Sequence, residues 1–311
     1  MRMRIKVLLA AVLVLAGGVW AAQAEKYIVA SDIPWPPFEW ASPSGDYLGF
    51  DLDVMRCIAV LEGYEIEIQP MAFDSIIPAV RLGQVDIGAS GFTITAKREE
   101  VVDFSNPYWL SNQAVLVRKD SGFKSLDDVL CCGHKIGAQR GTTGADWVQS
   151  NLVDKGVDVK LVLYETYPEA VLDLVNGRLD AVVQDEPASQ QSLAAYPKVL
   201  TTAGVIETNE YFGFLVAQGD PKGLLPKINE GMVKMGLRCD LMRPAEGQWK
   251  VKLRIIPGSA WDYLVRAYFG PKLEKVEAAW KACIKILYDK SLSPEERVFR
   301  FAKCLAEKAS E

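Results

Sequence analysis

Residues 71–109, MAFDSIIPAVRLGQVDIGASGFTITAKREEVVDFSNPYW, decide the fold. The first part, FDSIIPAVRLG (73–83), repeats apolar residues at helical spacing and ends at a glycine, as amphipathic helices do. The next, VDIGASG (85–91), is a short apolar run that reads as a buried strand. Hydroxyls and a cation follow, Thr93, Thr95 and Arg98, before the aromatic, proline-broken VVDFSNPYW (101–109). Such spacing fits a turn capped by hydroxyls, and it also fits a seat for an anion.

Outward from this stretch the helix–strand alternation continues. Upstream lie KYIVASD (26–32), the helix DLDVMRCIAVLE (51–62) and YEIEIQPM (64–71). Downstream a second block repeats the pattern: KIGAQ (135–139), a helix from Thr142 to about Leu152, VKLVLY (159–164), the helix PEAVLDLVNG (168–177), DAVVQD (180–185) and the helix EPASQQSLAAY (186–196). LGQVDIGAS (82–90) and NGRLDAVVQ (176–184) echo each other, each a helix end, a glycine and a strand opening on aspartate. Alternation of this kind predicts an α/β architecture with mostly parallel pairing. SNQAVLVRK (111–119) and ETNEYFGFLVAQ (207–218) read as extended connections, so the chain leaves one lobe by one strand and returns by another, a two-stranded hinge. Lobe 1 is expected to take 25–110 and 212–255, lobe 2 111–211. A helix at 223–238 rejoins lobe 1, and amphipathic helical segments past Ile256 make a C-terminal extension, 256–311.

Residues 1–24 place Arg2, Arg4 and Lys6 before the 14-residue apolar run VLLAAVLVLAGGVW and end on Ala22-Gln23-Ala24. That order describes a cleaved secretory signal, and the run is short of the roughly 20 residues a membrane span needs. Cleavage leaves 287 of 311 residues and moves the formal charge from −5 to −8 by removing those three bases. An acidic chain with no basic cluster makes nucleic acid and anionic lipid poor candidate partners. No membrane insertion of the mature chain is expected, and a monomer in the periplasm is. The length suits two lobes, since single cores stop growing near 250–300 residues.

Six cysteines stand in an exported chain, where bridges persist. Cys283 and Cys304 lie in two helical segments joined by DKSLSPEE, and a helical hairpin would bring them together. Cys131 and Cys132 are adjacent, free to bridge elsewhere or to stay reduced. With no CxxC and His134 the single histidine, zinc spacings are missing; no metal and no cofactor is expected.

In doubly wound sheets, ligands collect beyond the carboxyl ends of strands. The residues there are Asp32 and the stiffened loop IPWPPFEW with Trp35 and Phe38; Ser90, Gly91, Thr93 and Arg98; the glycine–hydroxyl turn RGTTGADW with Thr142 and Thr143; and Asp185. A guanidinium grips a carboxylate with two hydrogen bonds, helix-start amides add anion affinity, and a carboxylate accepts from an ammonium. Together these groups suit a free amino acid zwitterion. Each alone has a plainer reading: a surface arginine, a helix-capping aspartate, aromatics of the core. GAQRGTTG lacks the glycine–lysine–hydroxyl ending of a phosphate loop, which disfavours nucleotide.

VASDIPWPPFEW, YLGFDLDVM, the 71–109 stretch, KIGAQRGTTG and NGRLDAVVQDEPAS, in that order over residues 26–220, resemble the bacterial extracellular solute-binding proteins of family 3, the polar amino acid receptors of ABC importers. The resemblance implies a two-lobe periplasmic-binding-protein-like (type II) fold with two hinge strands, closing on an L-amino acid that is handed to an inner-membrane permease. It implies Arg98, Thr93, Thr142 and Thr143 as α-carboxylate ligands and Asp185 as the α-ammonium partner, helped by Ser90 and Gly91. Trp35 and Phe73 would sandwich the ligand side chain, whose polar end meets Asp32 and Gln139. An acidic Asp32 argues against glutamate or aspartate, because two carboxylates would face each other in a closing cleft; glutamine or a basic amino acid fits.

The chain departs from that family beyond about Met242, where the extra helices are either an annex on lobe 1 or a partner surface. Two rivals remain. A periplasmic dehydratase of this fold needs an added cleft carboxylate as proton donor, and DEPAS offers Glu186, which as a helix's first residue is expected to face solvent. A sensor input domain is disfavoured by the lack of any membrane segment after the leader, while docking to a separate sensor stays open. A binding protein, not an enzyme, is therefore the expectation.

Overall fold

KYIVAS forms the strand on which the first sheet is built, in a computed structural model that describes residues 24–242, 250–270 and 272–311. All but Ala24 of the expected leader lies outside them. Strand β1 (Lys26–Ser31) is followed by the small ribbon β2 (Trp40–Ala41) and β3 (Tyr47–Leu48), helix α1 (Phe50–Glu62), β4 (Glu65–Pro70), α2 (Phe73–Arg81), β5 (Ile87–Gly88), α3 (Ala96–Glu99) and β6 (Val102–Phe104). The chain crosses on β7 (Trp109–Arg118) into α4 (Leu126–Val129), β8 (His134–Gln139), α5 (Thr143–Val148), β9 (Val159–Tyr164), α6 (Tyr167–Val175), β10 (Ala181–Asp185) and α7 (Glu186–Ala195). It returns on β11 (Leu200–Phe212) to β12 (Leu215–Ala217) and α8 (Leu224–Met235).

Two five-stranded sheets result, ordered β4-β1-β5-β12-β6 and β11-β7-β10-β8-β9. β12, reached only after the second lobe is complete, slots between β5 and β6, so the first lobe is closed by the returning chain. Pairing is not mostly parallel. Each sheet has two parallel pairs, β1 with β4 and β5 or β8 with β9 and β10, and two antiparallel pairs made by the crossing or returning strands. The helices impose parallel crossovers only inside each block; the connecting strands run back against them.

Local sequence explains most boundaries. Thr95, Thr142 and Thr166 stand as N-caps accepting from the amides of Arg98, Ala145 and Glu169, and glycines at positive φ, Gly63 (75°) and Gly236 (104°), stop α1 and α8. The strand read at 85–91 is confined to Ile87–Gly88. Gly91, at φ 54°, turns the backbone off the sheet, and a Cβ there would lie 2.3 Å from Trp35 Cζ3. The helix read from Thr142 to Leu152 is α-helical only to Val148, then widens into a π-helical turn, Gln149–Val153.

Beyond α8 the sequence reading contained no strands, yet β13 (Leu237–Met242) and β14 (Lys250–Ile255) pair as an antiparallel hairpin, Leu237 opposite Ile255. Three helices follow as expected: α9 (Ala260–Phe269), α10 (Leu273–Leu287) and α11 (Pro294–Ser310), the last capped by Ser293. Cys283 and Cys304 are bridged, joining α10 to α11. Cys131 and Cys132 bridge each other, neither elsewhere nor reduced, at a tight turn where Cys132 takes φ 62°.

The C-terminal helices cover α1, which is buried from Phe50 to Ala59 on every face. They bring partners for its charges: Asp53 Oδ1 accepts from Arg56 Nη1 (2.6 Å) and Trp280 Nε1 (3.1 Å), and Oδ2 accepts from the Tyr268 hydroxyl. A carboxylate so deep is tolerable only with such a full set of donors. Phe269 stacks on Trp109 of β7 at 4.3 Å and meets Phe38 edge-on at 5.4 Å, so the annex also buttresses the hinge and the loop carrying Trp35.

Candidate functional site

All eleven residues singled out in the sequence line one narrow cleft between the lobes, together with Tyr167, which no sequence motif marked. The first lobe supplies Asp32 beyond β1, Trp35 on the proline loop, Phe73 at the start of α2, and Ser90, Gly91, Thr93 and Arg98 on the segment leaving β5. The second supplies Gln139 at the end of β8, Thr142 and Thr143 at the start of α5, Tyr167 on α6 and Asp185 at the end of β10. Both sets sit beyond the carboxyl ends of parallel strands, where crossover connections diverge and leave a crevice.

The aromatic walls are double. Trp35 stacks on Phe38 at 4.7 Å and Phe73 on Phe92 at 4.6 Å, so each ring facing the cleft is held by a buried one behind it. Arg98 lies over Phe73 and Phe92, 5.5 and 5.6 Å from the ring centroids. Its Nη1 donates to Thr93 O (2.8 Å) and its Nη2 to Gly141 O of the opposite lobe (3.1 Å). Five N–H groups on a guanidinium leave donors beyond those two. Burial lowers the Arg98 pKa, while Asp146, Glu210 and Asp185 hold its charge in place.

The hydroxyls divide by what they already bind. Ser90 accepts from Asp32 N (3.1 Å) and donates to Glu39. Thr142 donates to Gln139 O (2.8 Å) and caps α5, so its one proton is committed within the second lobe. Thr93 and Thr143 point their hydroxyls at each other's neighbourhood, 3.3 Å apart.

Acidic groups dominate the remainder. Burial pushes Asp32 up to about 6, opposed by a hydrogen bond from Gln139, whose Nε2 reaches Asp32 Oδ2 at 2.6 Å across the cleft. Burial, with Glu210 nearby, pushes Asp185 up to about 8; its Oδ1 accepts from Gln113 Nε2 at 3.2 Å. Behind Ser90 and Gly91 lie two more buried carboxyls. Glu39 is raised well above its ordinary value by burial and by Asp51; Asp51 is raised to about 7 by burial, against donors from Tyr108 (2.6 Å) and Gly91 N (2.8 Å).

Residues outside the sequence reading therefore matter here: Tyr167, Gln113, Glu39, Asp51 and, at the hinge, Glu210. Glu39 and Asp51 sat inside the motifs PFEW and GFDLDVM, and their buried, Ser90- and Gly91-bonded positions were signalled only by charge within apolar runs. Glu210 carried no signal, being one charge among several in a strand read as a connection. Glu186 is half-buried and does not line the cleft. Among the described residues no cluster of three metal-ligating side chains exists, and no helix is long and apolar enough to cross a membrane.

Residues 27–238 match the family model of the bacterial extracellular solute-binding proteins, family 3. The chain is 32% identical over 215 residues to ABC transporter arginine-binding protein 1 of Escherichia coli (strain K12), covering 68% of this chain and 86% of that one. Among solved structures it is similar to an ancestral arginine-binding protein bound to arginine, with TM-score 0.63, 35% identity, and coverage of 68% of this chain and 92% of the other. It is also similar to an ancestral amino acid-binding protein described as a precursor of cyclohexadienyl dehydratase, with TM-score 0.62, 31% identity, and coverage of 78% and 95%.

Proposed function

The chain belongs to the bacterial extracellular solute-binding proteins, family 3, and from that premise we propose that it is the substrate-binding component of an ABC amino acid importer, taking a basic L-amino acid between its lobes. One observation carries the reading: Arg98, Asp185 and Asp32 line the same interlobe cleft, one guanidinium and two buried carboxyls that a cationic group entering beside them would hold ionised. That set matches an α-carboxylate, an α-ammonium and a cationic side-chain end. Asp32, 4% exposed, faces Gln139 and among the described residues has no cationic partner in its hydrogen bonds, which favours a basic ligand over glutamine. The aromatic faces of Trp35 and Phe73 suit the flat or methylene part of such a side chain.

Closure is the mechanism. The lobes, 25–110 with 212–255 and 111–211, turn about β7 and β11, and ligand contacts made from both sides favour the closed population. The cross-lobe bonds Gln139 to Asp32 and Arg98 to Gly141 O support it. A Kd near 1 μM corresponds to about −8 kcal/mol, and charge-assisted hydrogen bonds of roughly 1.5–3 kcal/mol each at three ends of the ligand suffice. On this reading the expected leader is cleaved on export and the protein works in the periplasm, handing the amino acid to an inner-membrane permease.

A thermal-shift screen over the twenty amino acids tests this. L-arginine is expected to raise the melting temperature most, followed by other basic amino acids; no shift with any of the twenty rejects the reading. A dehydratase is the second reading, because Glu210 is an added carboxylate beside the cleft. Its Oε2 accepts three hydrogen bonds and is thereby held on protein donors. Incubation with prephenate or arogenate, followed by the spectrum of an aromatic product, decides between them.

A further inference from the structure

Glu210 arrives at the cleft through an irregularity in β11. Ile206 is opposite Gln113 and Glu210 opposite Ser111, so the strand carries two extra residues between these pairs. Asn209 within them takes φ 51°, and its amide is held by Asn112 Oδ1 at 3.0 Å. Bulges of this kind re-aim a side chain, and asparagine is among the few residues that enter the left-handed region readily. The side chain so aimed places Oε2 on three donors from three elements: Thr93 Oγ1 (2.9 Å) of the first lobe, Thr143 Oγ1 (2.6 Å) of the second, and Gln113 Nε2 (3.3 Å) of β7.

Donor counting gives the consequence. A threonine hydroxyl has one proton, and both Thr93 and Thr143 commit theirs to Glu210. These are two of the hydroxyls that the family resemblance implies for the α-carboxylate of the ligand, and a third, Thr142, is committed to Gln139 O. A ligand carboxylate entering this seat meets donors already occupied and a like charge beside it.

We infer that Glu210 is a tethered competitor: its carboxylate fills the α-carboxylate seat, bridges the lobes without ligand, and is displaced when an amino acid binds. The inference rests on the amino acid reading of the cleft. Glu210 thereby lowers affinity by the amount it stabilises the empty closed form, and it selects for ligands whose own carboxylate is also gripped by Arg98.

Two measurements on the full chain, with Glu210→Ala and the size-conserving Glu210→Gln, test it. In small-angle X-ray scattering without ligand, Glu210→Ala is expected to enlarge the radius of gyration as the lobes part, and Glu210→Gln to fall between it and wild type. In calorimetric titration with L-arginine, Glu210→Ala is expected to bind about tenfold more tightly, the change one charge-assisted hydrogen bond carries. Unchanged dimensions in both variants, or L-arginine affinity unchanged or weakened in both with melting temperatures near wild type, overturns the inference. Should wild type bind none of the twenty amino acids, the transport reading fails on its own, while scattering still decides whether Glu210 joins the lobes.

Discussion

Gln139 Nε2 of the second lobe donates to Asp32 Oδ2 of the first at 2.6 Å, two side chains 107 residues apart meeting across the cleft. The bond leaves a buried carboxylate facing a neutral amide, which is where a cationic ligand end gains most. Asp32→Asn is expected to weaken L-arginine binding by about 10- to 100-fold, the worth of a charge-assisted bond, and to change glutamine binding less. Calorimetry with both ligands checks this; undiminished arginine affinity removes Asp32 from the site.

Arg98 spans the cleft to Gly141 O, and within its own lobe its side chain bonds, among the described residues, only Thr93 O and lies over Phe73 and Phe92 at the cleft wall. Arg98→Ala is therefore expected to abolish amino acid binding while the far-ultraviolet circular dichroism spectrum stays that of wild type. Micromolar titration at wild-type affinity contradicts the carboxylate role.

The raised carboxyls make stability depend on pH in a definite direction. Asp51 and Asp185 sit at about 7 and about 8 in the fold against an ordinary 3.8, chiefly through burial. The folded state thus holds protons that the unfolded chain has already lost. Their contribution is full below about pH 4 and is lost as pH rises through 7 and 8. Without ligand, the melting temperature is expected to be about 5 °C or more higher at pH 6 than at pH 8.5, with Asp185→Asn flattening part of the slope. A midpoint that rises with pH over this window refutes the assignment.

Gly91 combines φ 54° with Trp35 against its missing side chain. Gly91→Ala is expected to push the indole from its stack on Phe38, shifting tryptophan emission and weakening ligand binding at least about tenfold. Unaltered emission and affinity would show that the turn tolerates a methyl.

Cys283 and Cys304 close a loop with a sequence separation of 21 in the annex that packs on α1. Replacing both with serine is expected to lower unfolding free energy by about 3 kcal/mol, measured by urea denaturation monitored through tryptophan fluorescence. A loss confined to the annex, with binding intact, distinguishes a buttress from a part of the site.

Much of the fold was legible because it is written locally. The caps Thr95, Thr142 and Ser293, the stops at Gly63 and Gly236, and the period of each helix act within a turn or two of themselves. The hairpin β13–β14 was not among the expected strands although KVKLRI (250–255) alternates at period two, because a six-residue run does not encode the partner strand it pairs with. Parallel pairing was overstated for a different reason: periodicity identifies a strand but carries no direction.

What the amino acid order determined by itself is the two-block alternation and the set of polar and aromatic residues placed after each strand, since these depend on spacing along the chain. Only the tertiary structure decided which hydroxyl protons are committed, which carboxyls are buried together, and that Glu210 reaches Thr93 and Thr143, 117 and 67 residues away. Those outcomes depend on how two sheets and a bulged hinge strand meet in space. A hydrogen bond is settled by the last ångström of approach, and no local pattern encodes that distance.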